Sequence, residues 1–315
     1  MESTDVNQLE IVCCFDNNFI RHAAVMFVSL FENHDKTVKI RIHAIVESLK
    51  PTDRQKLTLL VHEHGAVINY YELTNENLAY IESLPLNQKA HVSKAAYFRL
   101  MMPEILPKEL KKILYLDCDI IIQDELFTLY REDIKNYALA ACKELDRAKF
   151  NSTRLDLPSF SDYFCSGIML VNLDYWRKNK VSNRAFNYLS LFSDSILWWD
   201  QDALNGCLHN EWKCLHPRYN CDPTMYFYNG WINYDERFVM DWLDAVKNPA
   251  IIHYLTAAKP WQVLCTHPLK GLYYNYLKKT PWARTGLQRP SLYNQIRIVL
   301  RFLILGKLPN LEGFN

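Results

Sequence analysis

Residues 111–122 read KKILYLDCDIII, an apolar run that contains the two carboxylates of Asp117 and Asp119. Ionised carboxylates are costly to bury unless a cation or hydrogen-bond donors compensate them. The run therefore predicts a buried strand at 113–116, with both carboxylates in a cleft at its end. Two oxygen ligands at this spacing suit a divalent cation, although an Asp pair that only caps a turn has the same spacing.

The residues before this run alternate between strand-like and helix-like patterns. Apolar runs at 9–15, 38–46 and 66–72 predict strands, and 20–31 and 51–64 predict helices, the second ending at Gly65. This order predicts an α/β fold with a mainly parallel sheet covered by helices on both faces. Ligands of such sheets bind beyond the carboxyl ends of the strands, where Asp16 and Asn18 follow the first strand.

Later segments extend the same domain. We expect a central strand at 167–173 with a helix to about 192, a short helix that stops at Gly206, and a strand at 250–254. The interpretation is one catalytic domain over 1–270 and a basic tail over 271–315.

Composition limits the class of protein. The chain has 315 residues, 49% of them hydrophobic, and nine cysteines without a regular metal-binding spacing. The polar, acidic first ten residues do not resemble a secretory leader, so we expect reduced core thiols in a cytoplasmic protein. With a net charge of +1, no nucleic-acid partner is expected.

The basic charge collects near the end of the chain, where 245–311 contains ten Lys or Arg and no Asp or Glu. Residues 291–308 combine apolar positions with Arg297, Arg301 and Lys307. A transmembrane helix needs about 20 apolar residues, so this segment is too short and too charged to span. It predicts a helix on the inner face of an anionic membrane, and the alternative is a helix that packs back on the domain.

Several polar residues have both a functional and a structural interpretation. One aspartate of Asp200-Gln201-Asp202 is expected to cap a helix. His253 ends an apolar run, as a metal ligand or a hydrogen-bonded core histidine does. Lys259 is either a binding residue or a solvated loop lysine, and His91 and Arg99 are either binding residues or members of ordinary surface pairs. The sequence lacks a Gly-rich phosphate loop, so a phosphate would require metal, Lys and His.

The motifs together are more specific than any one of them. In order they are IVCCFDNNF, AHVSKAAYFRL, ILYLDCDIII, DYFCSGIMLVNL, WWDQDALNG and IIHYLTAAKPW. Over about residues 9–275 the chain resembles glycosyltransferase family 8, and within it the bacterial lipopolysaccharide α-galactosyl- and α-glucosyltransferases. The resemblance implies a GT-A fold, a UDP-galactose or UDP-glucose donor, Mn²⁺ or Mg²⁺, and transfer with retention to a saccharide acceptor that is lipid-linked.

The resemblance also implies a role for each matching residue. Asp117, Asp119 and His253 would bind the metal, with Asp200 and Gln201 at the reacting sugar. The implied donor-binding residues are Cys14, Asp16, Asn18, Phe19, His91, Arg99, Asp117, Cys165, Ser166, Gly167, Asp200, Gln201, Thr256 and Lys259.

Two positions depart from the family pattern, which has Asn in place of Cys165 and Gly in place of Thr256. For the mechanism, Asp200 is the one carboxylate expected near Gln201, and Gln201 is a poor nucleophile. Front-face attack, with the departing phosphate as base, is therefore favoured over a covalent intermediate.

Two alternatives remain open from the residues alone. A phosphatase of the haloacid-dehalogenase type would use Asp117 as nucleophile and Asp119 as acid, but Ile121 stands where that motif has Thr or Val. A non-catalytic, membrane-docked protein that binds nucleotide sugars is the second alternative.

Overall fold

The computed structural model describes residues 7–84, 95–144, 148–158, 163–227, 236–255, 259–262, 265, 267–286 and 296. The strands are β1 (Gln8–Phe15), β2 (Lys39–Val46), β3 (Val67–Glu72), β4 (Lys112–Leu116), β5 (Ile120–Ile122), β6 (Leu139–Lys143), β7 (Phe164–Asn172), β8 (Trp212–Leu215) and β9 (Ile251–His253). The α-helices are α1 (Ile20–Asn33), α2 (Pro51–Glu63), α3 (Asn75–Ser83), α4 (Ala95–Phe98), α5 (Met102–Ile105), α6 (Phe127–Tyr130), α7 (Ala148–Arg154), α8 (Leu173–Lys178), α9 (Val181–Leu191), α10 (Trp199–Leu208), α11 (Pro223–Phe227), α12 (Glu236–Lys247) and α13 (Lys270–Leu277).

A seven-stranded sheet has the order β3-β2-β1-β4-β7-β6-β8. Strands β3, β2, β1 and β4 are parallel, and β7 runs antiparallel to both of its neighbours. The inner strands of this sheet are almost fully buried: in β1 and in β7, every residue but a terminal one is buried. The α/β prediction with a mainly parallel sheet is confirmed.

The apolar run at 111–122 forms two strands instead of one. β4 pairs with β1 and β7, whereas β5 pairs antiparallel with β9 in a separate two-stranded sheet. Asp117 and Asp119 stand in the turn between β4 and β5. The polar pair therefore marks the point where the chain leaves one sheet for the other.

Three local predictions differ from the structure. β6 and β8 were not predicted, because runs of five and four residues carry little periodicity. The helix expected up to residue 192 is divided into α8 and α9 at Lys180, whose φ is +49°. α10 continues past Gly206, where an added Cβ would lie 2.2 Å from the Tyr188 ring, so this glycine permits close packing and does not end the helix.

The chain divides into two compact units. Unit 1 comprises residues 1–20, 34–118 and 126–216 and contains the seven-stranded sheet. Its hydrophobic core includes the fully buried Tyr115, Phe164 and Trp176. This core is formed by residues of the elements from β1 to α10, and it therefore holds in place the strands that carry the loops of the site.

Unit 2 comprises residues 21–33, 119–125 and 217–315. Within it the His22 ring stacks on Trp261 with centroids 3.5 Å apart, and Nδ1 of His22 lies 2.7 Å from the Tyr273 hydroxyl. Asn33 donates to the Tyr276 hydroxyl at 3.0 Å. These contacts hold α13 against α1.

All nine cysteines are free thiols, and seven of them are buried. No helix in the described part of the chain is both long and apolar enough to cross a membrane. Apart from Ile296, the segment 291–308 for which membrane docking is predicted lies outside the described residues.

Candidate functional site

Polar residues collect at one edge of the seven-stranded sheet. β6 is antiparallel to β7, as β4 is, so β1, β4 and β6 all end at the same edge. Asp16, Asp117 and Glu144 follow these three strands directly, and Ser166 lies near the start of β7. These residues of unit 1 therefore lie where the sequence predicts the site, at the carboxyl ends of the parallel strands.

Arg99 is the centre of a buried ionic cluster in unit 1. Its Nη2 donates to Asp117 Oδ1 at 2.9 Å, and its Nε lies 3.2 Å from Asp200 Oδ2. Nη1 donates to the carbonyl of Ser166 at 2.9 Å. The guanidinium also lies 4.6 Å from the centre of the Tyr115 ring, whose hydroxyl donates to Asp117. Arg99 thus compensates two carboxylates, Asp117 and Asp200, that are 83 residues apart in the sequence.

Asp200 is buried in this cluster. It accepts a hydrogen bond from the Ser166 hydroxyl at 2.9 Å and is 4% exposed. Burial raises the pKa of Asp200 to about 6, although the charge of Arg99 lowers it. The Asp200 carboxylate therefore contacts both Arg99 and Ser166, and it is not a helix cap.

Asp202 lies within the first turn of α10, whose N-cap is Trp198 with no side-chain cap bond, so the N-cap expected at one of the two aspartates is wrong. Oδ2 of Asp202 accepts from the backbone N–H groups of Leu197 and Trp198, each at 2.7 Å, and Arg154 pairs with the same carboxylate at 2.7 Å. The following residue of the turn, Trp199, has a φ of +39°. A left-handed conformation is costly for a bulky residue, so the bonds to Asp202 must stabilise this turn.

The amide of Gln201 is bonded at both ends. Its Oε1 accepts from the Ser166 N–H at 3.0 Å, and its Nε2 donates to Glu144 at 2.9 Å. The expectation that Asp200 is the one carboxylate near Gln201 is therefore wrong. Glu144 was missed because β6 was missed, and a carboxylate two residues after the apolar run ALAAC (138–142) was the signal for it.

Asn205 joins α10 to the sheet. Its side-chain amide accepts from the N–H of Phe164 at 2.8 Å and donates to the carbonyl of the same residue at 2.9 Å. Asn205 is fully buried, so this pair satisfies two polar groups at the start of β7. It holds α10, which carries Asp200 and Gln201, against the start of β7, where Ser166 lies.

Two of the predicted metal ligands come together within unit 2, where Nε2 of His253 is 3.3 Å from Oδ1 of Asp119. Octahedral ligands at about 2.1 Å from an ion are about 3 Å apart when adjacent and about 4 Å apart when opposite. The spacing of this carboxylate and imidazole therefore fits two ligands of one divalent cation. Asp117, the third predicted ligand, lies two residues before Asp119 in the sequence.

The imidazole of His253 is oriented by a residue that sequence reasoning missed. Its Nδ1 lies 2.8 Å from Oδ1 of Asn220, and both side chains are buried. If the amide oxygen faces the ring, Nδ1 carries the proton and Nε2 keeps its lone pair for a metal. Asn220 lies in an irregular segment, so its pattern gave no signal.

Lys259 contacts the carboxylate of Asp119, and its ammonium also donates to the carbonyl of Tyr254 at 2.6 Å. Burial alone would raise the pKa of Asp119, but Lys259 and His253 lower it well below its usual value. Asp119 is therefore ionised at neutral pH, as a metal ligand must be.

The residues predicted for uridine binding lie at the end of β1 and the start of α1. Oδ1 of Asp16 accepts from the N–H groups of Asn18 and Phe19, at 2.9 and 3.1 Å. This carboxylate therefore also shapes the turn. Burial raises the pKa of Cys14 to about 12, so its thiol is neutral and is not a nucleophile.

The remaining predicted residues are in the sugar-pocket loop or outside the described range. Cys165 is buried at 1% exposure, and the carbonyl of Gly167 accepts from the N–H of Asp117 at 2.8 Å. This bond joins the predicted sugar loop to Asp117, one of the predicted metal ligands. His91 and Thr256 lie outside the described residues.

Comparison with known proteins gives this arrangement a family. The chain is 30% identical over 289 residues to "General stress protein A" of Bacillus subtilis, covering 88% of this chain and 96% of that protein. It is 30% identical over 275 residues to an Escherichia coli "Lipopolysaccharide 1,2-glucosyltransferase", covering 85% of this chain and 77% of that one.

A solved structure agrees with these relatives. The galactosyltransferase LgtC, crystallised with donor and acceptor sugar analogues, superimposes with a TM-score of 0.78 at 25% identity, covering 87% of this chain and 96% of LgtC. The fold is therefore GT-A, a class whose members generally use a divalent metal. The family model "Glycosyl transferase family 8" matches residues 10–265, and the chain belongs to that family of glycosyltransferases.

Proposed function

We propose that this chain is a retaining glycosyltransferase that moves galactose or glucose from a UDP-sugar to a saccharide acceptor. The observation that carries the proposal is the pair of Asp119 and His253, 3.3 Å apart in unit 2, with the third predicted ligand, Asp117, two residues before Asp119 in the sequence. These residues would hold Mn²⁺ or Mg²⁺, and the imidazole favours Mn²⁺. When bound, the metal would neutralise charge on the diphosphate of the donor.

Each group of the chain has a part in this reaction. The ammonium of Lys259 would bind a phosphate oxygen in exchange for its present contact with Asp119. Cys14, Asp16, Asn18 and Phe19 would bind the uridine, and His91 and the backbone at Thr256 the phosphates.

The sugar would be bound by the cluster in unit 1. Arg99, Cys165, Ser166 and Gly167 would surround it, with Asp200 at its hydroxyl groups and Gln201 at the anomeric carbon. This assignment is supported by the hydrogen bonds that orient Asp200 and Gln201 towards Ser166.

The contacts favour front-face attack over a covalent intermediate. Asp200 is ion-paired with Arg99, and Asp202 with Arg154, which makes both poor nucleophiles. The bond from C1 to the β-phosphate oxygen would break with its electrons on UDP. The acceptor hydroxyl would then bond to C1 on the same face and give its proton to the departing phosphate.

For the acceptor, we propose a lipid-linked saccharide such as a lipopolysaccharide core. The names of the E. coli glucosyltransferase and of the related Salmonella typhimurium "Lipopolysaccharide 1,3-galactosyltransferase" support this class of acceptor. The basic segment 291–308 would hold the enzyme on the inner face of the cell membrane, where such an acceptor is presented.

Incubation with a panel of radiolabelled UDP-hexoses and MnCl₂ tests the function. We expect slow release of one hexose without acceptor and retention of its anomeric configuration by NMR. Phosphate release without sugar release would instead support the phosphatase alternative. Binding of UDP-hexose without turnover, even with added saccharides, would support the non-catalytic one.

A further inference from the structure

The amide of Gln201 has its orientation fixed by the chemistry of its neighbours. A backbone N–H can donate but not accept, so the group that faces Ser166 N at 3.0 Å must be the amide oxygen. An ionised carboxylate can accept but not donate, so the group that faces Glu144 Oε2 at 2.9 Å must be the amide nitrogen. The two neighbours of Gln201 therefore fix which end of its amide is the oxygen and which is the nitrogen.

Glu144 and Gln201 belong to a closed ring of hydrogen bonds within unit 1. Gln201 Nε2 also donates to the Tyr163 hydroxyl at 3.2 Å, and Tyr163 donates to Asp202 at 2.7 Å. The ring closes through Arg154, which donates to Asp202 and to Asn151, and through Asn151, which donates to Glu144 at 3.4 Å. Its members are Glu144, Asn151, Arg154, Tyr163, Gln201 and Asp202.

The ring contains two carboxylates. Asp202 is fully buried and ion-paired with Arg154. Glu144 accepts from the side-chain amides of Gln201 and Asn151, at 2.9 and 3.4 Å. Glu144 is 9% exposed, and a charge in such a place acts strongly on the groups next to it.

We propose that Glu144 is a positioning residue for Gln201. It holds the amide nitrogen away from the reacting sugar, and its charge draws the amide N–H towards itself. An amide that donates to a carboxylate carries more negative charge on its oxygen. The oxygen of Gln201 then faces the sugar as a stronger acceptor, where it stabilises the positive charge that develops on C1.

This inference rests on the proposed function, because it needs a sugar at Gln201. Nothing in the family motifs assigned a role to Glu144. Its residue type matters: a glutamine in its place would carry no charge to draw the N–H of Gln201, and the oxygen of Gln201 would then be a weaker acceptor.

The first test is Glu144→Gln in the full chain. We expect the kcat of UDP-hexose hydrolysis to fall roughly tenfold or more, with the Kd of UDP and the melting temperature unchanged. Glu104→Gln is the matched control, since it neutralises another carboxylate of unit 1, which accepts from Ser182 at 3.1 Å. A purely structural role would lower the melting temperature and leave the kcat of the folded fraction unchanged, which would overturn the proposal.

The second test is a double-mutant cycle with Gln201→Ala. If Glu144 acts through Gln201, Glu144→Gln has no further effect on kcat once the amide is gone. Effects that multiply would overturn the positioning role. Should Glu144→Gln not fold, Glu144→Asp takes its place in the cycle, since it keeps the charge and shortens the reach.

The unchanged chain separates the two proposals. If the unchanged chain neither hydrolyses nor transfers any UDP-hexose, the proposed function is overturned, and the role of Glu144 with it. If it is active and both Glu144 variants match its kcat, only the role of Glu144 is overturned.

Discussion

Nδ1 of His253 lies 2.8 Å from Oδ1 of Asn220, and this pair leaves Nε2 of the ring on the side of Asp119. A partner of this kind holds a metal-ligating imidazole in one tautomer and one orientation. Asn220 therefore supports the proposed metal site without being a ligand.

Replacing Asn220 with alanine should weaken Mn²⁺ binding in the presence of UDP by about 10- to 100-fold. Asn220→Asp, which still accepts from Nδ1, should retain most of the affinity. Isothermal titration calorimetry measures both, with Asn248→Ala as the control, because Asn248 bonds to Asp244 on an exposed part of unit 2. Equal affinity in Asn220→Ala and the unchanged chain would show that this pair does not orient the ligand.

Asp119→Asn should abolish metal-dependent UDP binding, because it removes one charge from the ligand set. The substitution is close in shape, and the side chain can still accept from Lys259, so we expect the fold to survive. Calorimetric titration of UDP with MnCl₂ is the measurement, and circular dichroism verifies the fold. Asp124→Asn, which loses an ion pair with Arg218, is the control. Unchanged UDP affinity in Asp119→Asn would remove Asp119 from the site.

Gln201→Ala should lower kcat for donor hydrolysis by roughly a hundredfold and leave the Kd of UDP nearly unchanged. The reason is that its oxygen is proposed to act on the reacting carbon and not on the nucleotide. Steady-state kinetics and UDP titration separate the two quantities, with the exposed Gln55→Ala as the control. If only the KM for the donor rises, Gln201 is a binding residue and the front-face geometry is wrong.

Stability should fall in mild acid because of His267. Burial lowers the pKa of His267 to about 3, so the folded chain holds it neutral, whereas the unfolded chain protonates it near pH 6.5. The stability that this histidine contributes is therefore complete above pH 6.5 and is lost as the pH falls towards 3. Between pH 7 and pH 5 the loss is about 2 kcal/mol.

Urea unfolding of His267→Gln at pH 7 and pH 5 checks this expectation. The variant should show a smaller fall in the free energy of unfolding than the unchanged chain, by about 2 kcal/mol. His62→Gln, which changes an exposed histidine of α2, should keep the original pH dependence. An identical pH dependence in all three proteins would mean that His267 is not held neutral.

The C-terminal segment should bind anionic membranes. In the full chain, Arg297→Glu with Arg301→Glu should reduce co-sedimentation with phosphatidylglycerol vesicles, since each basic residue near such a surface adds about 1 kcal/mol. Donor hydrolysis should be unaffected. A chain that ends at residue 285 should likewise stay active and lose co-sedimentation. Unfolding of the shortened chain would instead indicate that the segment packs on the domain.

Local pattern determined much of this protein. Apolar runs and helical periods were enough for β1, α1, β2, α2 and β3, because these elements are long and each buries a regular face. The sequence pattern also predicted that Asp117 lies just past the end of a strand, because a pair of carboxylates inside an apolar run is costly to bury within the strand itself. The motifs that surround these elements were enough to indicate the family.

Tertiary structure decided which residues complete the site. Glu144 is 57 residues from Gln201, Asn220 is 33 from His253, and Lys259 is 140 from Asp119. A hydrogen bond depends on distance and direction between two groups, and neither is contained in the pattern around one of them. β6 and its neighbours bring Glu144 to the edge where β1 and β4 end, and only that packing gives the carboxylate a partner.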